Sequence, residues 1–499
     1  MSKSRSTIQT RPSQTKIVAT LGPVSSSKEQ LVGLLEAGVD VFRLNMAHNG
    51  PVEQEVRLAA IRAASETVGR PVAVLTDLGG PKIRLGEIPG DQLTCNADDP
   101  IRFVRKLSGS IDLEAAPSEL TTTYEPLLDE LAVGDRVLLA DGTVSLTVEA
   151  VTPEWAQCRV VQPGVVRSRQ GVNLPGVKLS VTALSDIDLE NAVWAAKSGI
   201  DFVGLSFVRQ ADEVRQLKSL LAQHNHETQV IAKIEKPEAL EHIEEIVAEA
   251  DGVMVARGDL GVEIDIAQVA MAQKEIIAVC NRLRKPVIVA TQMLDSMTHS
   301  RIPTRAEVAD VTNAILDGAD ACMLSGETAI GEYPRQTVEM MHRIALETER
   351  LHVFSQTDFQ KTNNRGLTAP RPTLEVSSQN PVTEATVSAA GRMAEQLGAK
   401  VVVIASASGA TALSMAKNHH DTPTVGVSDS PATLRRMCLY WGVIPLAGAP
   451  TDDSVALVRY ITERGRAQKL LHTGDRLILI AGAGMTVSRH NMIVVHELD

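Results

Sequence analysis

The side chains able to do chemistry in this 499-residue chain collect at the ends of short apolar runs. VFRLN closes on Arg43 and Asn45, PVAVLTD on Asp77, DFVGLSF on Ser206, QVIAKIE on Lys233 and Glu235, GVMVARGD on Asp259, PVIVATQ on Thr291, and ACMLSGE on Ser325 and Glu327. Glu235 and Asp259 finish consecutive runs, which brings two carboxylates close enough to share a hard divalent cation, Mg²⁺ or Mn²⁺. Two protein carboxylates leave the rest of an octahedral shell to water and substrate oxygens, as is usual for Mg²⁺ where phosphate is handled. The alternative is a carboxylate paired with Lys233 or Arg257 and no metal. Lys233 stands two residues before Glu235, so both side chains leave one face of a strand. An ammonium held there neutralises charge developing on a phosphoryl or enolate oxygen, unless it serves only as a structural ion pair.

Around Arg257-Gly258-Asp259-Leu260-Gly261, glycine allows a ligand close to the backbone, and a following helical turn presents free N–H groups to an anion such as a carboxylate. There is no Walker A loop and no GxGxxG opening a βαβ unit, so phosphate binding falls to Arg43, Arg84 and the metal. Late in the chain, VVVIAS runs into Ser406-Ala407-Ser408-Gly409-Ala410-Thr411 and then a helical stretch. Hydroxyls at a helix start suit a phosphate monoester and equally serve as plain N-caps. The twelve histidines show no HExxH or paired metal spacing.

Such groups meet only if the elements carrying them converge. Eight runs (KIVAT, VFRLN, PVAVLTD, DFVGLSF, QVIAKIE, GVMVARGD, PVIVATQ, ACMLSGE) have the near-continuous apolar character of parallel strands buried on both faces. Amphipathic segments separate several of them. Val56, Ala59, Ala60, Ala63 and Ala64 mark one helical face, and Ala239, Ile243, Ile246 and Ala250 another. An open doubly wound sheet gives a similar local pattern, but the count of eight favours a closed (β/α)8 barrel, whose reactive groups lie at the C-terminal ends of its strands. Between the third and fourth runs the alternation stops for about one hundred residues, too long for a βα loop. Its alternating segments predict a small antiparallel β unit over 85–183, placed where a mobile lid over the barrel mouth would sit. The barrel then comprises 15–84 and 184–350, preceded by a flexible N-terminus, 1–14. A polar linker, 351–375, leads to an α/β domain, 376–499, with five strand candidates in an open sheet.

Composition narrows the partners. Forty-nine Lys and Arg against 61 Asp and Glu give a net charge of −12, and aromatic residues make up 3% of the chain. An acidic, aromatic-poor surface argues against nucleic acid and anionic lipid and points to small ligands. Five cysteines without a CxxC pair fit a reducing, cytoplasmic setting, and no apolar run is long enough to span a membrane.

The ordered set TKIVATLGP, VFRLNMAHN, TDLGGPKIR, GVNLPG, SDIDL, AKIEKPEAL, DGVMVARGDLGVEI, KPVIVATQMLDSM, PTRAEVADV, TNAILDGADACMLSGETAIGEYP and GDRLILIAG resembles the pyruvate kinase family over residues 15 to 499. The resemblance implies a TIM barrel with an inserted small β-barrel lid and a C-terminal α/β regulatory domain. It implies Mg²⁺- or Mn²⁺-dependent phosphoryl transfer from phosphoenolpyruvate to ADP, giving pyruvate and ATP in glycolysis, in a homotetramer. By the same resemblance Glu235 and Asp259 are metal ligands, and Lys233 stabilises the phosphoryl transition state and the enolate. Gly258, Asp259 and Thr291 hold the substrate carboxylate, and Arg43 contacts phosphate. Asn45, His48 and Arg84 lie on the nucleotide side, and Ser325 and Glu327 belong to a water relay that protonates the vinyl carbon. Ser406, Ser408, Gly409 and Thr411 resemble the pocket for a phosphorylated allosteric effector.

Departures from that pattern concern the family's monovalent-cation site, of which Asn45, Asp77, Leu78 and Lys82 are the remnant. Ala47 stands where a serine is usual, Leu78 where potassium-dependent members carry threonine, and Lys82 where they carry glutamate. An ammonium beside the absent ion supplies its charge, so the expectation is activity without potassium. Gly79 and Gln170 replace two phosphate-side residues, with Arg169 next to the second. Two other readings share parts of this pattern: a metal-dependent, enolate-forming aldolase or lyase on a related barrel, and a sugar-phosphate sensor that has lost catalysis.

Overall fold

β-Branched and aliphatic runs with no polar face must be covered on both sides, and a ring of strands wrapped by helices does this without leaving an edge. In the computed structural model all eight runs are strands: Lys16–Thr20, Val41–Asn45, Ala73–Asp77, Phe202–Leu205, Gln229–Ile234, Gly252–Ala256, Val287–Ala290 and Ala321–Leu324. Each is parallel to its neighbours, and the first pairs with the eighth through Lys16↔Ala321, so the sheet is a closed barrel rather than the open alternative. The structure describes residues 13–47, 50–106, 118–140, 142–177, 179–180, 182–225, 227–359, 381–482 and 491–499.

The helices show where sequence periodicity misleads. Helix Pro51–Val68 buries Gln54, Leu58, Ile61 and Ala64, with Ala60 packed beside them, whereas Val56 and Ala59 are exposed, so the expected face is corrected at its Val56 and Ala59 end. Leucine and isoleucine remove far more apolar surface from water than alanine does, and they set the rotation of the helix. Ala239, Ile243, Ile246 and Ala250 are buried as expected, the first three on two short helices, Pro237–Glu241 and Ile243–Glu249, and Ala250 just beyond the second.

The insertion leaves the barrel beside isolated bridges Arg84↔Gly171 and Leu85↔Thr122. A six-stranded sheet and a two-stranded ladder, Gln92–Cys95 with Gly164–Arg167, enclose one apolar core that includes Phe103, Leu139 and Leu146, which makes the small barrel-like lid unit. Beyond the eighth strand, helix Pro334–Phe359 carries on nine residues into the segment expected as linker. Residues 360–375 of that segment, like residues 1–12 of the expected flexible N-terminus, lie outside the described residues. Ser13 and Gln14 are tied down, by Ser13 Oγ to His342 Nδ1 at 2.9 Å and by the Gln14 N–H to Glu349 at 2.7 Å.

The C-terminal domain has all five expected strands, in the spatial order Val443–Leu446, Thr424–Val427, Val401–Ala405, Arg476–Ala481 and antiparallel Met492–Glu497. It closes the floor of the barrel. Inward-facing Val18, Phe202, Ile231 and Met254 form one cluster with Met437, Leu439, Trp441 and Val443. No helix among the described residues is long and apolar enough to cross a membrane.

Candidate active site

The C-terminal ends of the strands and the overhanging lid enclose a cavity of about 470 Å³. The barrel contributes Arg43, Asn45, Asp77, Lys82, Lys233, Glu235 and Asp259 to its wall, and the lid contributes Ser168, Arg169 and Gln170. At its centre is Lys233. Its Nζ lies 2.8 Å from Glu235 Oε1, 3.2 Å from Asp77 Oδ1 and 2.6 Å from Ser206 Oγ. The other Asp77 oxygen accepts from Arg43 Nε at 2.8 Å and from Arg43 Nη2, and Arg43 Nη1 donates to Thr20 Oγ1 at 3.2 Å. Asp77 thus joins the arginine of the second strand to the lysine of the fifth.

Charge balance follows from burial. Burial pushes the Asp77 carboxyl up, but Lys233 and Arg43 outweigh it and hold the group below its usual range. Burial opposes the charge on Lys233, and Asp77 and Glu235 more than offset this, so its pKa lies above the ordinary lysine value. Glu235 moves the other way: desolvation raises it, Lys233 opposes that, and the neighbouring Asp259 charge adds to the rise. A carboxylate strained in this way by a second one, with hard oxygen donors on both, is a donor set that fits a divalent cation. The ion pair with Lys233 that was the alternative to a metal is also present. Arg257 takes no part in it, pairing with Asp310 at 2.7 Å and donating to the Thr291 carbonyl at 2.9 Å.

Gly258 and Asp259 open helix Arg257–Glu263. The Gly258 N–H donates to Thr291 Oγ1 at 2.6 Å, and that hydroxyl donates to the Ala290 carbonyl at 2.6 Å, so the two loops are laced together beside the cavity. Ser325 and Glu327 are not among the residues lining it. The Glu327 carboxylate is buried, its pKa pushed up by desolvation, and it accepts from the backbone N–H groups of Ser325 at 2.6 Å and Leu294 at 3.0 Å. That makes it a clamp between the loops after the seventh and eighth strands.

On the nucleotide side, Asn45 Oδ1 accepts from the Ala47 N–H at 3.0 Å, and Arg84 Nη1 donates to the Arg169 carbonyl at 3.1 Å. His48 lies outside the described residues. Gln170 turns its amide oxygen to the Arg167 N–H at 2.7 Å, while the Arg169 guanidinium pairs with Glu87 on the exposed surface of the lid. Ala47, Leu78 and Gly79 line the same cavity as Lys82. Far below, the Ser406–Thr411 loop holds Gly409 at φ +85°, and the Ser406 and Ser408 hydroxyls accept from the Gly409 and Ala410 N–H groups at 3.1 and 3.4 Å.

Sequence reasoning gave Ser206 no role beyond ending a strand and passed over the backbone of Phe207, whose N–H donates to Glu235 Oε2 at 2.7 Å. The available signal was a hydroxyl finishing the strand next to the one bearing Lys233.

Known proteins resemble this chain in both its barrel and its C-terminal domain. Residues 12–338 match the family model described as pyruvate kinase, barrel domain, and residues 384–496 match pyruvate kinase, alpha/beta domain. Pyruvate kinase of Geobacillus stearothermophilus is 39% identical over 97% of this chain and 80% of its own length, and that of Mycobacterium intracellulare is 38% identical over 97% and 98%. The crystal structure of a pyruvate kinase from Cryptosporidium parvum superposes with a TM-score of 0.86 at 29% identity, covering 98% of this chain and 97% of that one. An eightfold barrel whose strand ends gather a lysine, an arginine and three carboxylates under a lid, matched by both domain models and by relatives along nearly its whole length, belongs to the pyruvate kinase family of phosphotransferases.

Proposed function

We propose that the chain moves the phosphoryl group of phosphoenolpyruvate to ADP, with Lys233 as the central catalytic group and Glu235 and Asp259 as the holders of a Mg²⁺ or Mn²⁺ ion. The observation that carries this reading is the position of the Lys233 ammonium, 2.8 Å from Glu235 in the cavity that Arg43 and Asp259 also face. A bound divalent cation supplies Lewis-acid polarisation of phosphoryl and enolate oxygens. The chain's own residues do the rest. Arg43, fixed by Asp77, orients the phosphoryl group, and Lys233 offsets negative charge spreading over the phosphoryl and enolate oxygens as the bond to phosphorus loosens. Gly258, Asp259 and Thr291 receive the carboxylate, and Asn45 and Arg84, with His48, face the nucleotide. The lid excludes water that would otherwise take the phosphoryl group. Of the pair assigned to the proton relay, Ser325 retains hydrogen-bonding capacity, since its buried Oγ has no partner among the described residues, whereas Glu327 is committed to backbone N–H groups.

Lys82 in the cavity wall with Asn45, Asp77 and the apolar Leu78 supports activity without potassium. The test is a coupled assay with phosphoenolpyruvate and ADP, in buffers where a tetraalkylammonium salt replaces potassium. Pyruvate formed only when ADP and Mg²⁺ or Mn²⁺ are present, at a similar rate in both buffers, is the expected result. A large loss without potassium overturns the monovalent-ion reading, and carbon–carbon cleavage without nucleotide overturns the whole. The Ser406, Ser408, Gly409 and Thr411 loop, with glycine in a left-handed turn, supports a phosphorylated effector, to be sought by adding a panel of sugar phosphates to the same assay. A cytoplasmic homotetramer completes the proposal: five buried, unbridged cysteines support the reducing compartment, and the tetramer, carried by the family resemblance alone, is checked by native mass in solution.

A further inference from the structure

The fourth strand, Phe202–Leu205, ends in a tight turn at Ser206 and Phe207 to which the proposed mechanism assigns nothing. Phe207 has φ +56°, a left-handed conformation that bulky residues rarely adopt and that persists where the surroundings enforce it, often at functional sites. The turn is seated against Gly80, where an added Cβ would come within 2.6 Å of the Phe207 ring and 3.0 Å of Ser206 Cβ. It touches both central groups of the cavity at once: Ser206 Oγ is 2.6 Å from Lys233 Nζ, and the Phe207 N–H donates to Glu235 Oε2 at 2.7 Å.

An ammonium has three N–H bonds, and Lys233 has three acceptors, Ser206 Oγ, Asp77 Oδ1 and Glu235 Oε1. Two are charged and have competing duties, since Asp77 also binds Arg43 and Glu235 belongs to the cation. Ser206 is the neutral one. Its own proton goes to the Leu78 carbonyl at 2.8 Å, and the residue is 1% exposed, so its oxygen meets Lys233 only as an acceptor and cannot rotate away to water. A neutral acceptor fixes the direction of the ammonium without cancelling its charge, which a third carboxylate would do.

We infer that Ser206 is a positioning residue of the phosphoryl-transfer site. With Asp77 it holds Lys233 when Glu235 turns to the divalent cation, leaving the third N–H aimed at the migrating group. The inference rests on the assignment of Lys233 as the central catalytic group.

The test uses the full-length enzyme with Ser206→Ala, Ser206→Cys and Ser206→Thr, and Lys233→Met alongside, measuring kcat, KM for phosphoenolpyruvate and the unfolding temperature. A hydrogen bond to a charged group that tightens in the transition state corresponds to a loss of about 10- to 100-fold in kcat, with KM within about twofold of wild type. Ser206→Ala is expected to show that split. Ser206→Cys, which keeps the shape with a weak acceptor, is expected to show it too and serves if the alanine variant does not fold. Ser206→Thr, retaining the hydroxyl, is expected to recover most of kcat. Alanine and cysteine variants with wild-type kcat beside an inactive Lys233→Met overturn the inference alone, as does an equal loss in all three serine variants that follows a lowered unfolding temperature. Lys233→Met with wild-type turnover overturns the assignment of Lys233 and the inference with it.

Discussion

Thr291 sits at φ +70° although it is β-branched, and Gln292 beside it sits at φ +54°. Conformations of this kind cost about 1–3 kcal/mol each. The hydroxyl holds this one in place, accepting from Gly258 and donating to Ala290, so the strain fixes the loop beside the cavity. Thr291→Val keeps the volume and the strain but leaves both partners unmade. Its kcat/KM for phosphoenolpyruvate is expected to fall by about 10²- to 10³-fold in steady-state assays, with Thr291→Ser close to wild type. At this scale the sequence was readable wherever a position follows from strand geometry. Lys233 and Glu235 emerge from one strand two residues apart and do meet. The Glu327 clamp and the Ser206 contact were not readable, because each depends on how the ends of two neighbouring strands stand to one another: Glu327 meets Leu294 from the loop after the seventh strand, and Ser206, at the end of the fourth, meets Lys233, 27 residues away on the fifth.

Among the elements, the barrel strands announce themselves because burial on both faces leaves no polar positions, whereas an alanine-rich helix carries little information about its own rotation, as Pro51–Val68 shows. Helix Arg305–Leu316 opens in the PTRAE stretch with reciprocal capping. Thr304 caps it, and Glu307 returns to the Thr304 N–H at 2.7 Å and binds Ser296 as well, by its N–H at 2.7 Å. Desolvation raises the Glu307 carboxyl, but the bonds from Ser296 and Thr304 prevail and hold its pKa below the usual glutamate value. A folded pKa below the unfolded one means that the stabilisation is complete above the unfolded value near pH 4.3 and vanishes as pH drops through the folded value. Glu307→Ala is therefore expected to destabilise by about 1–2 kcal/mol at neutral pH in thermal unfolding, with the gap to wild type narrowing below about pH 4.

For the molecule as a whole, the joint between the barrel floor and the C-terminal domain combines apolar packing with ion pairs taken out of water. Lys417 meets Asp320 at 2.5 Å with both side chains fully buried, and Arg435 meets Asp201 at 2.6 Å. Removing one member strands the other charge in a dry interior, so Lys417→Met is expected to cost about 3–5 kcal/mol in unfolding free energy, and the double variant Lys417→Met, Asp320→Leu to recover most of it. Denaturant titration checks both. The three-part architecture was legible from the change in periodicity along the chain, but this joint was not, since Lys417 and Asp320 are 97 positions apart and the motif that holds Asp320 gives no sign of its partner.

The shared cluster of Phe202 and Met254 with Met437, Leu439 and Trp441 has a practical consequence. A fragment expressed without residues 381–499 would present the underside of its ring as bare oil to solvent, and it is expected to precipitate rather than behave as a smaller working enzyme.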